Sequence, residues 1–230
     1  MARRPTKKTA ILERSLWTWL SAAIRRKPSG GLPLTIRAPF FALLGATMGT
    51  LLDSLHVLNG VAGYKNTTLI PIIKVAWWVP LEFATAGMVV GLLRPEFDEE
   101  FNRKRSDLPG WVVLAGMVSL VVVWGGSGLL SKAGLSNWAI AGILTPTAVV
   151  IWSLFDRTYP GAIAAVITAV IGVVVESGLV YSETYFYTKP DIFSAVPVWL
   201  PSLYLTACVA VGNLGRYLKY SWDKNGDNQF

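Results

Sequence analysis

Between Gly110 and Leu130 the chain reads GWVVLAGMVSLVVVWGGSGLL, an apolar run without a charged side chain. A helix of that length covers about 30 Å, the thickness of a bilayer's hydrocarbon core. Backbone at that depth must satisfy its own hydrogen bonds, which a helix does. Working outward, five further runs have the same character: Leu34 to Leu58, Leu69 to Leu93, Leu135 to Phe155, Gly161 to Tyr181 and Val196 to Leu218. The pattern predicts an all-α polytopic membrane protein with six transmembrane helices. The connections between runs are too short for a soluble domain. Three segments follow: a basic stretch over 1–33, a six-helix membrane domain over 34–218, and a short tail over 219–230.

Composition agrees. Of 230 residues 53% are hydrophobic and 15% charged, with a mean hydropathy of +0.46, where soluble domains carry about 25% charged residues. Ten Trp and 21 Gly suit interfacial aromatic belts and close helix approach. Cys208 is the only cysteine and His56 the only histidine. That excludes a disulfide scaffold, a Cys/His metal site and a c-type haem site, so no metal or cofactor is expected beyond a bound lipid. No GxGxxG or Walker-type loop occurs, and no set of nucleophile, base and orienting group emerges. The expectation is a protein that is not an enzyme.

The net charge of +7 would suit nucleic acid if it were clustered on a soluble face. Instead it is sorted by side. Seventeen Lys and Arg lie before or at the mouth of the first run, in the second-to-third loop, at Arg157, or at the end of the last run and in the tail, against Lys65, Lys132 and Lys189 on the opposite side. By the preference of basic residues for the cytoplasmic face, both termini are predicted cytoplasmic, and nucleic acid is not an expected partner. Within 1–33, Leu12, Leu16, Leu20 and Ile24 recur every four residues, the spacing of a helix lying in the head-group plane; a frayed tail is the alternative.

Polar groups inside the runs are where function is sought, because burying a charge there costs at least about 3 kcal/mol. Asp53, His56, Lys74 and Glu176 fall toward the non-cytoplasmic ends of their runs, so Lys74 is expected either to pair with Asp53 or Glu176 or to snorkel to the outer head groups. Glu82 falls near the middle of the second run and should face protein or a cavity. Pro80, Pro146 and Pro201 are expected to kink three helices and open gaps between them. These positions and side-chain sizes select Trp77, Trp78, Glu82 and Trp152 as pocket residues for an apolar ligand. Gly45-x-x-x-Gly49 and Gly87-x-x-x-Gly91 are read as packing contacts within the bundle. The Gly125–Gly128 stretch reads as a helix-ending or distorting segment. The alternative function is a small membrane transporter using Lys74, Glu82 and Glu176, although 34–130 and 135–218 show no internal repeat.

Several strings together resemble the Insig family of sterol-regulatory membrane proteins. They are Ile36-Arg37, Ala76-Trp77-Trp78-Val79-Pro80, Gly91-Leu92-Leu93-x-Pro95-x-x-Asp98 and Trp152-x-x-Phe155-Asp156-Arg157-x-x-x-Gly161, then Val180-Tyr181-x-x-x-Tyr185-x-Tyr187-Thr188-x-Pro190-Asp191, Trp199-Leu200-Pro201 and Gly212-Asn213-x-Gly215-Arg216. They run in order from about residue 34 to 218. The resemblance implies a regulatory protein that binds a sterol such as an oxysterol, or a diacylglycerol, in an intramembrane pocket and serves cholesterol homeostasis in animals. It implies a sterol-sensing-domain partner of Scap or HMG-CoA reductase type if the source is eukaryotic. Asp156, with Arg157, then corresponds to the aspartate required for partner binding, and homo-oligomers are compatible with it. It places the protein in the endoplasmic reticulum if eukaryotic and in the plasma membrane if bacterial. Where animal members carry a sterol-facing glutamine, this chain has Ala139.

Overall fold

In a computed structural model that describes residues 31–101 and 108–220, the helices start where the sequence punctuates them. Pro33 and Pro109 stand in extended conformation immediately before α1 (Leu34–Leu58) and α3 (Gly110–Lys132). Pro80 occupies the first turn of α2 (Val79–Glu100). Ser136 caps α4 (Asn137–Phe155) by accepting from the Ala139 N–H at 3.2 Å, and Thr158 caps α5 (Tyr159–Tyr181) by accepting from the Gly161 N–H at 2.9 Å. In each case a side-chain oxygen satisfies a donor that the first turn leaves orphaned. The sixth helix, α6, spans Leu200–Tyr220. Two three-residue strands, β1 (Ala62–Tyr64) and β2 (Tyr185–Tyr187), pair antiparallel with Gly63 opposite Phe186. They tie the end of α1 to the end of α5, and that side of the molecule is the hairpin end. The opposite side, where α1 begins and α6 finishes, is the terminal end.

Helix α6 occupies the centre and packs against α2, α3, α4 and α5. Its polar residues Ser202, Thr206, Asn213 and Arg216 are all buried. The outer faces are the reverse: Leu114, Val118 and Val122 on α3 and Val166, Val170 and Val174 on α5 form exposed stripes at four-residue spacing. Apolar side chains outside and polar ones inside are what a hydrocarbon solvent selects. Among the described residues, α1, α3, α4 and α5 are long and apolar enough to cross a membrane. Helices α2 and α6 carry Arg94, Glu96, Asp98, Arg216 and Lys219 toward the terminal end, all directed into protein.

Both glycine pairs serve packing inside the bundle. A side chain at Gly45 would strike the Phe83 carbonyl and one at Gly87 the Phe41 carbonyl, while the Phe83 and Phe41 rings lie over Gly49 and Gly91. Helices α1 and α2 therefore approach backbone to backbone along a seam four residues in pitch. Beside it α1 widens into a π-turn over Gly45–Gly49.

Three expectations are corrected. The second run does not form a helix from Leu69: residues 65–78 make a hairpin-like loop and α2 begins at Val79. Consequently Pro80 and Pro201 sit in first turns, where a missing N–H removes no hydrogen bond, and the proline-interrupted helices are those with Pro39, Pro95 and Pro146 inside them. The Gly125–Gly128 stretch does not end α3, which continues to Lys132. Most of the basic segment 1–33, the Arg103–Arg105 cluster and the tail beyond Tyr220 lie outside the described residues, as does the expected interfacial helix.

Candidate functional site

A cavity opens at the hairpin end, lined by Asp53 of α1, Tyr64 of β1, Trp78, Glu82 and Phe83 around the start of α2, Glu176 and Leu179 of α5, Tyr185 of β2 and Tyr204 of α6. The strand alternation builds part of it. In β2, Tyr185 and Tyr187 point to the buried face while Phe186 points away. The Tyr64 hydroxyl donates to Asp53, with Tyr185 at 3.5 Å from the second oxygen. Tyr187 and Tyr204 both donate to Glu176. Burial pushes the Tyr64, Tyr185 and Tyr187 phenols well up from their usual range, so they remain donors at any physiological pH. The Glu82 carboxyl has neither a hydrogen bond nor an ion pair among the described residues.

Three carboxyls thus share one cavity with five aromatic rings and no Lys, Arg or His. Its empty space is about 270 Å³, open mouth included.

Of the expected pocket residues, Trp78 and Glu82 line this cavity, with Glu82 in the first turn of α2 rather than mid-helix. Trp77 turns outward and is 60% exposed. Trp152 is on α4, one turn before Asp156, packed on the main core and not on the cavity. Lys74 does not pair with Asp53 or Glu176: it is exposed in the 65–78 loop with φ +58°. A chain of Lys74, Glu82 and Glu176, as the transporter reading requires, is therefore not assembled. His56 is also apart from Asp53 chemistry; its Nε2 donates to Ser127 Oγ at 2.8 Å, and that hydroxyl donates to the Trp124 carbonyl at 2.6 Å. Sequence reasoning missed Tyr64, Phe83, Leu179, Tyr185 and Tyr204. The alternation Tyr185-x-Tyr187 was a usable signal, since aromatics two apart share a strand face.

At the terminal end a second cluster forms. The Arg94 guanidinium reaches Asp98 at 2.6 Å, Asp156 at 3.1 Å and the Thr158 hydroxyl at 3.0 Å. Arg216 reaches Asp98 at 2.8 Å, Asp156 at 3.3 Å and the Asn213 side-chain Oδ1 at 3.0 Å. Lys219 bridges Glu96 at 2.5 Å and Glu99 at 2.9 Å. The Asp156 carboxylate also accepts from Thr158 at 2.6 Å and fills the space above Gly161. Its side chain is 1% exposed and faces Arg94, Arg216 and Thr158. It clamps α2, α6 and the α4–α5 turn together, and this leaves Arg157, in left-handed conformation at φ +50°, on the surface.

A membrane-embedded helical bundle with a polar cavity at one end and a buried ionic latch at the other defines a polytopic integral membrane protein. The comparisons with known proteins identify the kind. The family model described as Insulin-induced protein (INSIG) matches residues 133–219. The insulin-induced gene 1 protein of Danio rerio is 30% identical over 177 residues, covering 76% of this chain and 69% of that protein. The gene 1 and gene 2 proteins of Gallus gallus are each 29% identical, over 84% and 83% of this chain and 78% and 84% of theirs. The chain belongs to the Insig family of membrane regulatory proteins. The crystal structure of an Insig homologue from Mycobacterium vanbaalenii superposes with a TM-score of 0.69 at 23% identity, over 80% of this chain and 94% of that one, a likeness of fold.

Proposed function

We propose that this protein is a non-enzymatic lipid-responsive regulator whose cavity at the hairpin end takes the polar head of a neutral lipid, a sterol or a diacylglycerol. One observation carries the reading: Asp53, Glu82 and Glu176 face the cavity with Trp78, Phe83 and three tyrosines and without a cation. A phosphate head group would meet three carboxyls and no counter-charge, whereas a hydroxyl can donate to the unpartnered Glu82 and lay its apolar body against the rings. All six helices span the bilayer in this reading, with the terminal end and both chain termini cytoplasmic. The membrane is the endoplasmic reticulum in a eukaryote and the plasma membrane in a bacterium.

The partner is a membrane protein of sterol-sensing-domain type where such proteins exist. It meets the surface of α3, α4 and Arg157, with Asp156 acting through the latch that positions Arg157. The lipid alters partner affinity only by binding the paired and unpaired arrangements unequally, as any allosteric ligand must. The test is native mass spectrometry of gently purified protein with identification of retained lipid. One stoichiometric sterol or diacylglycerol, reduced by Glu82→Gln and lost in the cavity-filling Leu179→Trp, is the expected result. A nonspecific phospholipid ladder that neither substitution changes overturns the reading.

A further inference from the structure

From the structure we infer that residues 65–78 form a gate through which the lipid reaches the cavity sideways from the bilayer, a step that rests on the lipid reading above. As it stands the cavity measures about 270 Å³ only when the solvent at its mouth is included, so its enclosed part is far smaller than the roughly 300–1,000 Å³ of a pocket that encloses a drug-sized ligand, and a sterol or a diacylglycerol does not fit in it. Part of its wall has to move.

The walls differ in how firmly they are held. Helices α1 and α2 are locked by the Gly45–Gly87 seam, and α5 is tied to α6 by Glu176 and Tyr204. The β1–β2 ladder is anchored by Tyr64 and Tyr187 on Asp53 and Glu176. Trp78 alone comes from the root of the 65–78 loop, and that loop is built as a separate piece. Between Thr68 and Trp77 its backbone hydrogen bonds close on itself, from Ile70 N to Val75 O at 2.8 Å, Lys74 N to Ile70 O at 2.9 Å and Trp77 N to Thr68 O at 3.1 Å, while its root is held by Lys65 N on the Thr184 carbonyl at 3.0 Å and the Asn66 side chain on the Glu183 carbonyl at 3.4 Å. Val75 and Ala76, with Val79, form a small apolar cluster distinct from the main core. The loop's side-chain hydrogen bond to the helices runs from Ser54 Oγ of α1 to the Ile73 carbonyl at 2.6 Å.

Non-glycine residues in left-handed conformation stand near its root, Asn66 at φ +52°, and at its turn, Lys74 at φ +58°. Such positions concentrate where a segment must swing. The outer face of the loop carries Ile72, 88% exposed, with Leu69, Trp77 and Lys74 also exposed. Apolar and aromatic side chains beside a lysine are the composition of a surface resting at the head-group level, where a lipid would arrive. Swinging the loop outward removes Trp78 from the cavity wall and joins the cavity to the bilayer.

A gate changes rates without changing affinity, and the experiment uses that. The full chain and Ser54→Ala are placed in phosphatidylcholine nanodiscs with and without dioleoylglycerol. Amide hydrogen exchange and the rates of dioleoylglycerol uptake and release are then followed. Losing one neutral hydrogen bond should speed exchange at Ile70, Lys74 and Trp77 together by roughly fivefold, while amides of α6 stay unchanged. Uptake and release should rise by the same factor at unchanged equilibrium occupancy. The gate is overturned if those amides exchange only in step with α2 and the β1–β2 ladder, or if lipid rates stay as in the parent. Absence of any bound dioleoylglycerol, and of cholesterol in parallel nanodiscs that contain it, overturns the lipid reading instead, and the amide response then decides by itself whether the loop opens.

Discussion

At the terminal end Asp98, Asp156 and Glu96 are buried against Arg94, Arg216 and Lys219, whereas at the hairpin end Asp53 and Glu176 are buried against phenols and the half-buried Glu82 carboxyl faces the cavity. Both clusters take acids out of water, and the difference lies in what compensates them. A carboxylate held by two guanidinium groups and a hydroxyl has used its lone pairs, so the terminal cluster fixes α2, α6 and the α4–α5 turn in one arrangement. Carboxyls held by neutral donors retain capacity for a further one, and a cavity lies beside them. Position in the fold matches this division: the latch is built on cations, and the lining of the cavity contains none.

The comparison breaks most sharply at Asp156. Replacing it with Ala leaves Asp98 as the one carboxylate that Arg94 and Arg216 still share, a loss of up to about 3–5 kcal/mol by the cost of breaking buried pairs. Unfolding in mixed micelles titrated with SDS reads this directly. A cost under about 1 kcal/mol would show that the carboxylate is not part of a latch. Partner capture by Asp156→Ala should fall in proportion to lost folding, while Arg157→Ala should weaken capture with stability unchanged to within about 0.5 kcal/mol.

At the hairpin end the expected effects are smaller. Tyr187→Phe removes one donor from Glu176 and should destabilise by about 1.5–3 kcal/mol if that carboxyl is ionised, and by about 1 kcal/mol if it is protonated. The same titration therefore sharpens the contrast by reporting the charge state of the cluster. Pro80→Ala should cost less than about 1 kcal/mol, because a first-turn proline interrupts no hydrogen bond. Glu82→Gln should change stability least, by no more than about 0.5 kcal/mol, while reducing lipid retention. A large loss of stability there would mean that Glu82 has a structural partner.

Much of the bundle was legible. The ends of α1, α3, α4 and α5 follow the apolar runs to within about two residues, since a charge, a proline or a cap stops each one. The second run misled because Leu69-Ile70-Pro71-Ile72-Ile73 is as apolar as a span. Hydropathy registers that a segment avoids water and cannot separate a helix from a loop folded onto a membrane protein's surface. Glu82 stood out because polarity inside an apolar run is visible locally, and Trp78 by its size and its place beside Pro80; both line the cavity. Tyr64 and Tyr204 were not, since nothing nearby in the chain marks a tyrosine that will face a carboxyl on another helix.

What the sequence determined alone was the solvent: long uncharged runs with sorted basic residues require a bilayer and a helical backbone, because only such a chain satisfies its hydrogen bonds in hydrocarbon. It also marked Asp98, Asp156, Asn213 and Arg216 as a set through the family-like strings that contain them. Only the tertiary structure decided what they do. Strings some 60 residues apart converge on one buried network, and whether a carboxylate faces a partner or an arginine depends on which helices pack together. Pairing across that distance is a property of the packed bundle and leaves no trace in local spacing.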